Sequence, residues 1–278
     1  MITFVLIYNI LIMKIVLIGA GNLATNLGKA LLAAGHDILQ VYSRTMESAS
    51  RLAVQVGGSP TNDLNRLVYT ADVYILSVKD NVLAELIPKV CKGREKSLVV
   101  HTAGSIPLDS FMGMTFHYGV FYPMQTFSKD REVDFQEIPV FIEYNDNFAK
   151  RKLELLAHSI SNHVARLDSA DRKYLHLAAV WACNFTNHCY DMASEILERH
   201  GMSFEIMLPL IDETTRKIHK ISPQAAQTGP AVRYDENVIR SQSELLKDIP
   251  LAKDIYERMS VSIHRRNLES AQTDSRNV

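Results

Sequence analysis

The sequence predicts an α/β protein in which a doubly wound, mostly parallel sheet is followed by an all-α second domain. Up to about residue 167, short apolar runs rich in β-branched residues alternate with amphipathic helical patterns. This alternation is typical of a parallel sheet covered by helices on both faces. From Ala170 onward the pattern is helical only. We therefore predict one domain at residues 1–168 and a helical domain at residues 169–278.

Periodicity and turn residues place the individual elements. The predicted strands are Lys14–Ile18, Asp37–Tyr42, a short one at Ser59–Thr61, Val73–Val78, Leu98–Thr102, Thr115–Phe121, Pro139–Glu143 and His163–Leu167. The predicted helices are Asn22–Ala34, Met46–Val56, Val82–Val90, Asn147–Ser161, Asp171–Arg199, Ser203–Ile221 with a bend at Pro209, Asp235–Lys247, and a last one from Pro250 to about Arg266. We expect 128–137 to be a surface loop and the tail from Asn267 to be frayed.

Composition excludes several classes of function. The 278 residues carry a net charge of −1, with lysines and arginines scattered, so we expect no nucleic-acid partner. The three cysteines, Cys91, Cys183 and Cys189, lack the C-x-x-C spacing of a metal site. They are typical of reduced thiols in a cytoplasmic protein, and we expect no metal and no disulfide.

The N-terminal stretch is apolar but is interrupted by Asn9 and Lys14. It has neither a basic segment nor a small-residue cleavage site, so we expect neither a signal peptide nor a membrane anchor. We interpret Met13 as the beginning of the domain. Residues 1–12 are then either the result of a start assigned too early, at Met1, or an additional strand-like arm.

A phosphate-binding pattern joins the first predicted strand to the first helix. It reads Gly19-Ala20-Gly21-Asn22-Leu23-Ala24. Gly19 permits a tight turn, and Gly21 lets the backbone approach a pyrophosphate, which would bind the free N–H groups at the helix start. Since a strand precedes and a helix follows, the pattern predicts a Rossmann dinucleotide site rather than a merely structural turn.

The other strand ends add candidates for binding the cofactor. Ser43-Arg44-Thr45 follows the second strand without an acidic residue, which favours the 2′-phosphate of NADP over NAD. An ordinary polar loop is the alternative there. Val78, Lys79, Asp80 and Ala103 follow two further strands, where we expect the nicotinamide ribose and ring, although Lys79 and Asp80 would equally suit a solvated pair at a helix start. We interpret His101 as a core histidine.

The helical domain contains polar residues in apolar surroundings. The stretch Tyr174–Phe185 is apolar on every face except at His176 and Asn184, so we expect it to be buried. On an α-helix these two residues are separated by about 12 Å of rise and about 80°, so both could line one elongated cleft. The segment Thr228–Asp235 predicts a loop in which Arg233 binds a substrate anion or an aspartate; a simple interhelix turn is the alternative.

Six motifs in this order resemble a known family. They are GAGNLA at 19–24, SVKDNVL at 77–83, HTAGS at 101–105, YPMQTF at 122–127, HLAAVWACN at 176–184 and TGPAVRYD at 228–235. The chain is similar to the Rossmann-like oxidoreductases grouped with deazaflavin-dependent NADP reductases. These carry a C-terminal helical domain of unknown function, related to the dimerising half of 6-phosphogluconate dehydrogenase-like proteins. Relatives often have a histidine in place of Tyr122 and a glycine in place of Tyr234. Pyrroline-5-carboxylate reductase and ketopantoate reductase share the overall plan, but the catalytic lysine of the latter has no counterpart here.

The resemblance implies an NADP(H)-dependent oxidoreductase that transfers a hydride to or from a small molecule in an interdomain cleft, and a homodimer formed by the helical domain. The candidates for donating a proton or stabilising developing charge are His176, Asn184, Tyr122 and Arg233. Two alternatives remain open: a non-catalytic NADP-sensing module and an NADPH–deazaflavin oxidoreductase.

Overall fold

Eight strands form one sheet in a computed structural model that describes residues 12–274. The strands are β1 (Lys14–Ile18), β2 (Asp37–Tyr42), β3 (Ser59–Thr61), β4 (Val73–Leu76), β5 (Leu98–His101), β6 (His117–Pro123), β7 (Val140–Tyr144) and β8 (Val164–Arg166). Their order across the sheet is β3-β2-β1-β4-β5-β6-β7-β8. All neighbouring pairs are parallel except β6 and β7. The predicted mostly parallel sheet is confirmed.

Helices cover both faces of this sheet, as the doubly wound prediction requires. They are α1 (Asn22–Ala33), α2 (Met46–Val56), α3 (Asp80–Cys91) and α4 (Asn147–His158). One apolar core lies between the sheet and α1, α2 and α4, and a second lies on the α3 side. Since β1 to β6 all run parallel, the loops that follow these strands meet at one edge of the sheet, which is where ligands bind in such folds.

The helical part of the chain contains α5 (Ser169–Ala179), a π-helical segment (Val180–Phe185), α6 (Thr186–Glu198), α7 (Leu208–Ile218), α8 (Pro230–Arg233), α9 (Glu236–Leu245) and α10 (Pro250–Asp274). The α/β fold with a helical C-terminal region is thus confirmed. None of the helices within residues 12–274 combines the length and the apolar character needed to cross a lipid bilayer.

Several element boundaries differ from the predictions. Pro209 lies in the first turn of α7, where a missing N–H is tolerated, so it does not bend that helix. α10 continues to Asp274 instead of ending near Arg266. The predicted loop Thr228–Asp235 contains the one-turn helix α8. The predictions for the N-terminal arm and the native start concern residues 1–11, which lie outside the described residues.

The expectation that Tyr174–Phe185 is buried is wrong for the single chain. Tyr174 and Leu177 are 64% and 53% exposed. Arg172 is the one buried residue of α5. A helix that is apolar all round must be covered in its functional state, but the pattern does not say whether the cover comes from the same chain.

The chain divides into two compact units between Asn184 and Phe185. In the C-terminal unit, α10 packs against α8 and α9. There the Ser243 hydroxyl donates to a Glu257 carboxylate oxygen at 2.5 Å. The predicted boundary between residues 168 and 169 rests on the change from strands to helices and not on compactness. That change lies where β8 ends at Arg166 and α5 begins at Ser169.

His101 is buried in the core at the end of β5, as expected. It is fully buried and stacks on Phe111, with ring centroids 5.5 Å apart. Burial and the nearby Arg172 charge lower the pKa of His101 to about 4. His101 is therefore neutral in the folded protein at neutral pH.

This histidine makes the free energy of unfolding depend on pH. Because the pKa is lower in the folded protein than the unfolded value of about 6.5, the unfolded chain takes up the proton first on acidification. We expect stability to be fully present above pH 6.5 and to fall by about 3 kcal/mol by pH 4 through this group alone. Denaturant unfolding of the protein and of His101→Gln, across this pH range, measures the difference. Equal losses of stability in both proteins would contradict the assignment.

Candidate functional site

The two glycines of the glycine loop have different structural roles. Gly19 has φ +120°, and a Cβ there would collide with the backbone carbonyl oxygen of Ser77 at the end of β4. Its N–H donates to the Tyr42 carbonyl oxygen at 2.8 Å. Gly19 thus joins the ends of β1, β2 and β4, and the fold itself requires glycine at this position.

Gly21 is not required by the fold. Its φ is −80°, a Cβ there would meet no atom within 4 Å, and no side chain caps α1. The N–H groups of the first helical turn are therefore open to an anionic group approaching over Gly21. Among the other residues of the loop, Ala20 is buried and Leu23 is half-buried. The Asn22 side chain donates to the Phe127 carbonyl oxygen at 2.9 Å and so holds the segment after β6 beside the loop.

The residues after β2 present a cation beside the glycine loop. The Ser43 N–H donates to the Thr61 carbonyl oxygen at 3.1 Å. The Thr45 hydroxyl oxygen caps α2 by accepting from the Ser48 N–H at 3.4 Å. Arg44 lies between them with an exposed side chain.

The ends of β4 and β5 contact each other through polar side chains. Asp80, the first residue of α3, accepts a hydrogen bond from the Ser105 hydroxyl. Val78 is half-buried next to Gly19, and Lys79 is exposed. The Ala103 N–H donates to His101 Nδ1 at 3.2 Å and so points into the core. The Ala103 N–H is therefore not available to a ligand.

Two of the four catalytic candidates lie side by side. The Tyr122 hydroxyl, near the end of β6, is 3.0 Å from Nδ1 of His176 on α5, and the tautomer of the histidine decides which atom donates. The rings meet edge-on, with centroids 6.1 Å apart. The His176 ring also packs over Gly104, where a Cβ would lie 2.5 Å from Nδ1. We call these two residues the Tyr122–His176 pair.

The charges around Tyr122 act in opposite directions. Burial raises the pKa of Tyr122, the Arg172 charge lowers it, and the Asp80 charge raises it. The hydroxyl is thus protonated at neutral pH and can donate a proton.

The other two candidates have exposed side chains. Asn184 is exposed, contrary to the expectation that its surroundings bury it. Because Val180–Phe185 is π-helical, the angle calculated between His176 and Asn184 for an α-helix does not apply. Arg233 is exposed in α8 of the C-terminal unit.

Sequence reasoning missed four residues next to the pair: Gly104, Ser105, Glu143 and Arg172. The HTAGS motif contained the first two, but only their strand neighbours were assigned. Arg172 precedes His176 by four residues, a spacing that places both on one helix face. Within residues 12–274, no group of three or more His, Cys, Asp or Glu residues is arranged to hold a metal ion.

Comparisons with known proteins agree with this architecture. Residues 14–104 match the family described as "NADP oxidoreductase coenzyme F420-dependent". Residues 138–263 match a domain of unknown function, DUF2520. No curated protein matches the chain.

Solved structures extend the comparison. An imine reductase from Myxococcus stipitatus, in complex with NADP+, is 16% identical with a TM-score of 0.67 over 92% of this chain and 94% of its own. A pyrroline-5-carboxylate reductase from Coxiella burnetii is 16% identical with a TM-score of 0.55 over 92% and 98%. At this identity both show a shared fold.

A protein from Bacteroides fragilis is much more similar. It is described as a putative NADP oxidoreductase, and it is 54% identical with a TM-score of 0.89. The match covers 92% of this chain and 99% of that one. The chain therefore belongs to the same family as this Bacteroides fragilis protein, with a Rossmann-type N-terminal domain of the NADP oxidoreductase kind followed by a DUF2520 domain.

Proposed function

We propose that the protein is an NADP(H)-dependent oxidoreductase that transfers a hydride to or from a small molecule bound beside the Tyr122–His176 pair. The observation that carries this proposal is the 3.0 Å contact between the Tyr122 hydroxyl and His176 Nδ1. It provides a positioned proton donor at the sheet edge where the glycine loop would hold a dinucleotide. Because imine reductases share the fold, a carbon–nitrogen double bond is the first substrate class to test, followed by carbonyl groups.

The residues of the glycine loop fit such a cofactor. The space over Gly21 and the uncapped start of α1 suit a pyrophosphate, and Arg44 suits a 2′-phosphate. When bound, NADPH supplies the hydride.

The protein's own residues manage the proton. As the π bond of the substrate's C=N or C=O group breaks and its carbon gains a hydride, the neighbouring nitrogen or oxygen would take the proton from the Tyr122 hydroxyl, and a single bond remains between the two atoms. For this step His176 would hold the tyrosine oxygen in position by donating from its Nδ1–H, which leaves the hydroxyl proton free for the substrate. The charge of Arg172 would stabilise the negative charge left on the tyrosine oxygen. In the oxidative direction the same groups would accept the proton.

Arg44 is expected to set the preference for NADPH. In Arg44→Ala, loss of a charge-assisted contact with the 2′-phosphate should weaken NADPH binding about 10- to 100-fold and leave NADH binding unchanged. Fluorescence titration with both cofactors measures the ratio. An unchanged ratio would remove the 2′-phosphate assignment.

Gly21→Ala is the matched control for that experiment. A methyl group over the pyrophosphate position should weaken NADPH and NADH binding by the same factor, because both cofactors share this group. Since nothing in the fold opposes the new Cβ, the thermal midpoint should stay that of the wild type.

Tyr122→Phe tests the chemistry. Against a panel of imines, ketones and a deazaflavin, we expect NADPH oxidation with at least one carbon acceptor. The variant should oxidise NADPH with that acceptor about 100-fold more slowly, or slower still, while its affinity for NADPH stays that of the wild type. Tyr118→Phe, a half-buried tyrosine of the same strand, should leave the rate unchanged. Binding of NADPH without any turnover would favour the sensing module. Reduction of the deazaflavin alone would favour the deazaflavin oxidoreductase.

We propose in addition a homodimer formed by the helical region. Tyr174 and Leu177 of α5 are exposed, and in the C-terminal unit Ile206, Leu208 and Leu210 are 54%, 46% and 62% exposed. Exposed apolar side chains on this scale are typical of an interface.

Light scattering should therefore give about twice the chain mass of 31.3 kDa. Leu177→Glu should shift the protein towards the monomer. Val54→Glu, at an 86% exposed position on α2, should leave the mass unchanged. A wild-type monomer at micromolar concentration would refute the dimer.

A further inference from the structure

Next to the Tyr122–His176 pair lies a buried ion pair that the proposed chemistry uses only in part. Arg172 is 1% exposed and Glu143 is 7% exposed. Nη1 of the guanidinium donates to Glu143 Oε2. Because both charges lose their hydration, a pair of this kind is a weak source of stability, and apolar residues of similar volume often serve as well.

The partners of the two charges come from three separate segments of the chain. Nη2 of Arg172 donates to the Ile106 carbonyl oxygen at 2.6 Å and to the Ser169 hydroxyl at 3.1 Å. Glu143 accepts from the Ser169 N–H at 2.9 Å and from its hydroxyl at 2.7 Å. The Ser169 hydroxyl in turn accepts from the Leu108 N–H at 2.9 Å. These bonds, which we call the Arg172 network, hold the start of α5 against β7 and the segment after β5.

Each of these segments also carries part of the candidate site. His176 follows Arg172 by one helical turn on the same face of α5. Gly104, on which the His176 ring packs, lies two residues before Ile106. Glu143 pairs with Val120, two residues before Tyr122, so Glu143 and Tyr122 share a face of the sheet. A shift of the Arg172 network would therefore move His176 relative to Tyr122.

The network also places charge near the tyrosine. The titratable and charged groups around Tyr122 are His176 and Arg172 on α5 and Asp80 on α3. Glu143 on β7 lies on the same face of the sheet. Burial and Asp80 make the hydroxyl a weaker acid, and the guanidinium opposes both. An apolar residue at position 172 would fill the volume but remove this opposing charge.

We propose that Arg172 is a positioning residue that, together with Glu143, holds His176 beside Tyr122 and keeps a positive charge close to the tyrosine hydroxyl. That Tyr122 donates a proton to a substrate rests on the proposed function. The position of His176 beside Tyr122 and the effect of the Arg172 charge do not depend on the proposed function, and both can be measured without cofactor or substrate.

The charge effect is tested by NMR of the full chain labelled with 13C at the tyrosine ring, with Tyr122→Phe used for assignment. Two variants are compared: Glu143→Gln, which keeps the guanidinium, and Arg172→Met/Glu143→Gln, which removes it. We expect the acid dissociation constant of Tyr122 to be about tenfold lower in the double variant than in the single one. Identical titrations of Tyr122 in the two folded proteins would overturn the charge effect.

Positioning is tested with Ser169→Ala, which loosens the network without leaving a charge buried and unpaired. We expect the 15N signals of His176 to lose the signature of the hydrogen bond to Tyr122. Ser97→Ala removes a hydroxyl that donates to the Ala71 carbonyl oxygen, outside the network, and should leave these signals unchanged. If the charge variants do not fold, Ser169→Ala decides alone, and wild-type His176 signals in that variant would overturn the proposal. Neither result depends on whether turnover is ever observed.

Discussion

A guanidinium buried in a protein needs partners for its donors, and the partners of Arg172 define the local structure around it. They lie on β7, on the segment after β5 and at the start of α5. Elements that are far apart in the sequence are thereby held at one point, next to the carboxyl ends of the strands. Tyr122 and His176, the two residues for which we propose a chemical role, lie beside this point. The charge of Arg172 also lowers the pKa of both Tyr122 and His101, so it influences their protonation as well as their surroundings.

The two glycines of the glycine loop differ in whether the fold requires them. Gly19 is required by the fold, because its positive φ and its approach to Ser77 leave no room for a side chain. Gly21 has an ordinary φ and open space around it, so the fold does not require glycine there; in the proposed function the cofactor would be the group that does. Two glycines of one motif can thus be distinguished by their geometry, which a pattern of letters cannot do.

The sequence predicted the sheet well because buried parallel strands are short, apolar and rich in β-branched residues. β1, β2 and β3 have the predicted bounds. It predicted the helical region less well. The π-helical segment at Val180–Phe185 depends on a shift in backbone hydrogen bonds, which the residue types do not predict. The exposure of Tyr174 depends on what covers α5, and the periodicity of the sequence does not predict which element or chain that is. The sequence presents Tyr122 and His176 as separate candidates 54 positions apart, and only the fold brings them together. Arg172 was missed since an arginine on a helix is usually a solvated residue.

The environment of Tyr122 combines two requirements that conflict in water. The proposed proton donor has to stay protonated until the reaction, which burial favours further by raising the pKa of Tyr122, and it has to release the proton when negative charge develops nearby. A fixed positive charge meets the second requirement without solvent reorganisation, because the guanidinium is already oriented by Glu143, Ile106 and Ser169. In the proposed function the tyrosine and the buried arginine therefore act as one arrangement, in which burial favours the protonated hydroxyl and the arginine charge favours release of its proton.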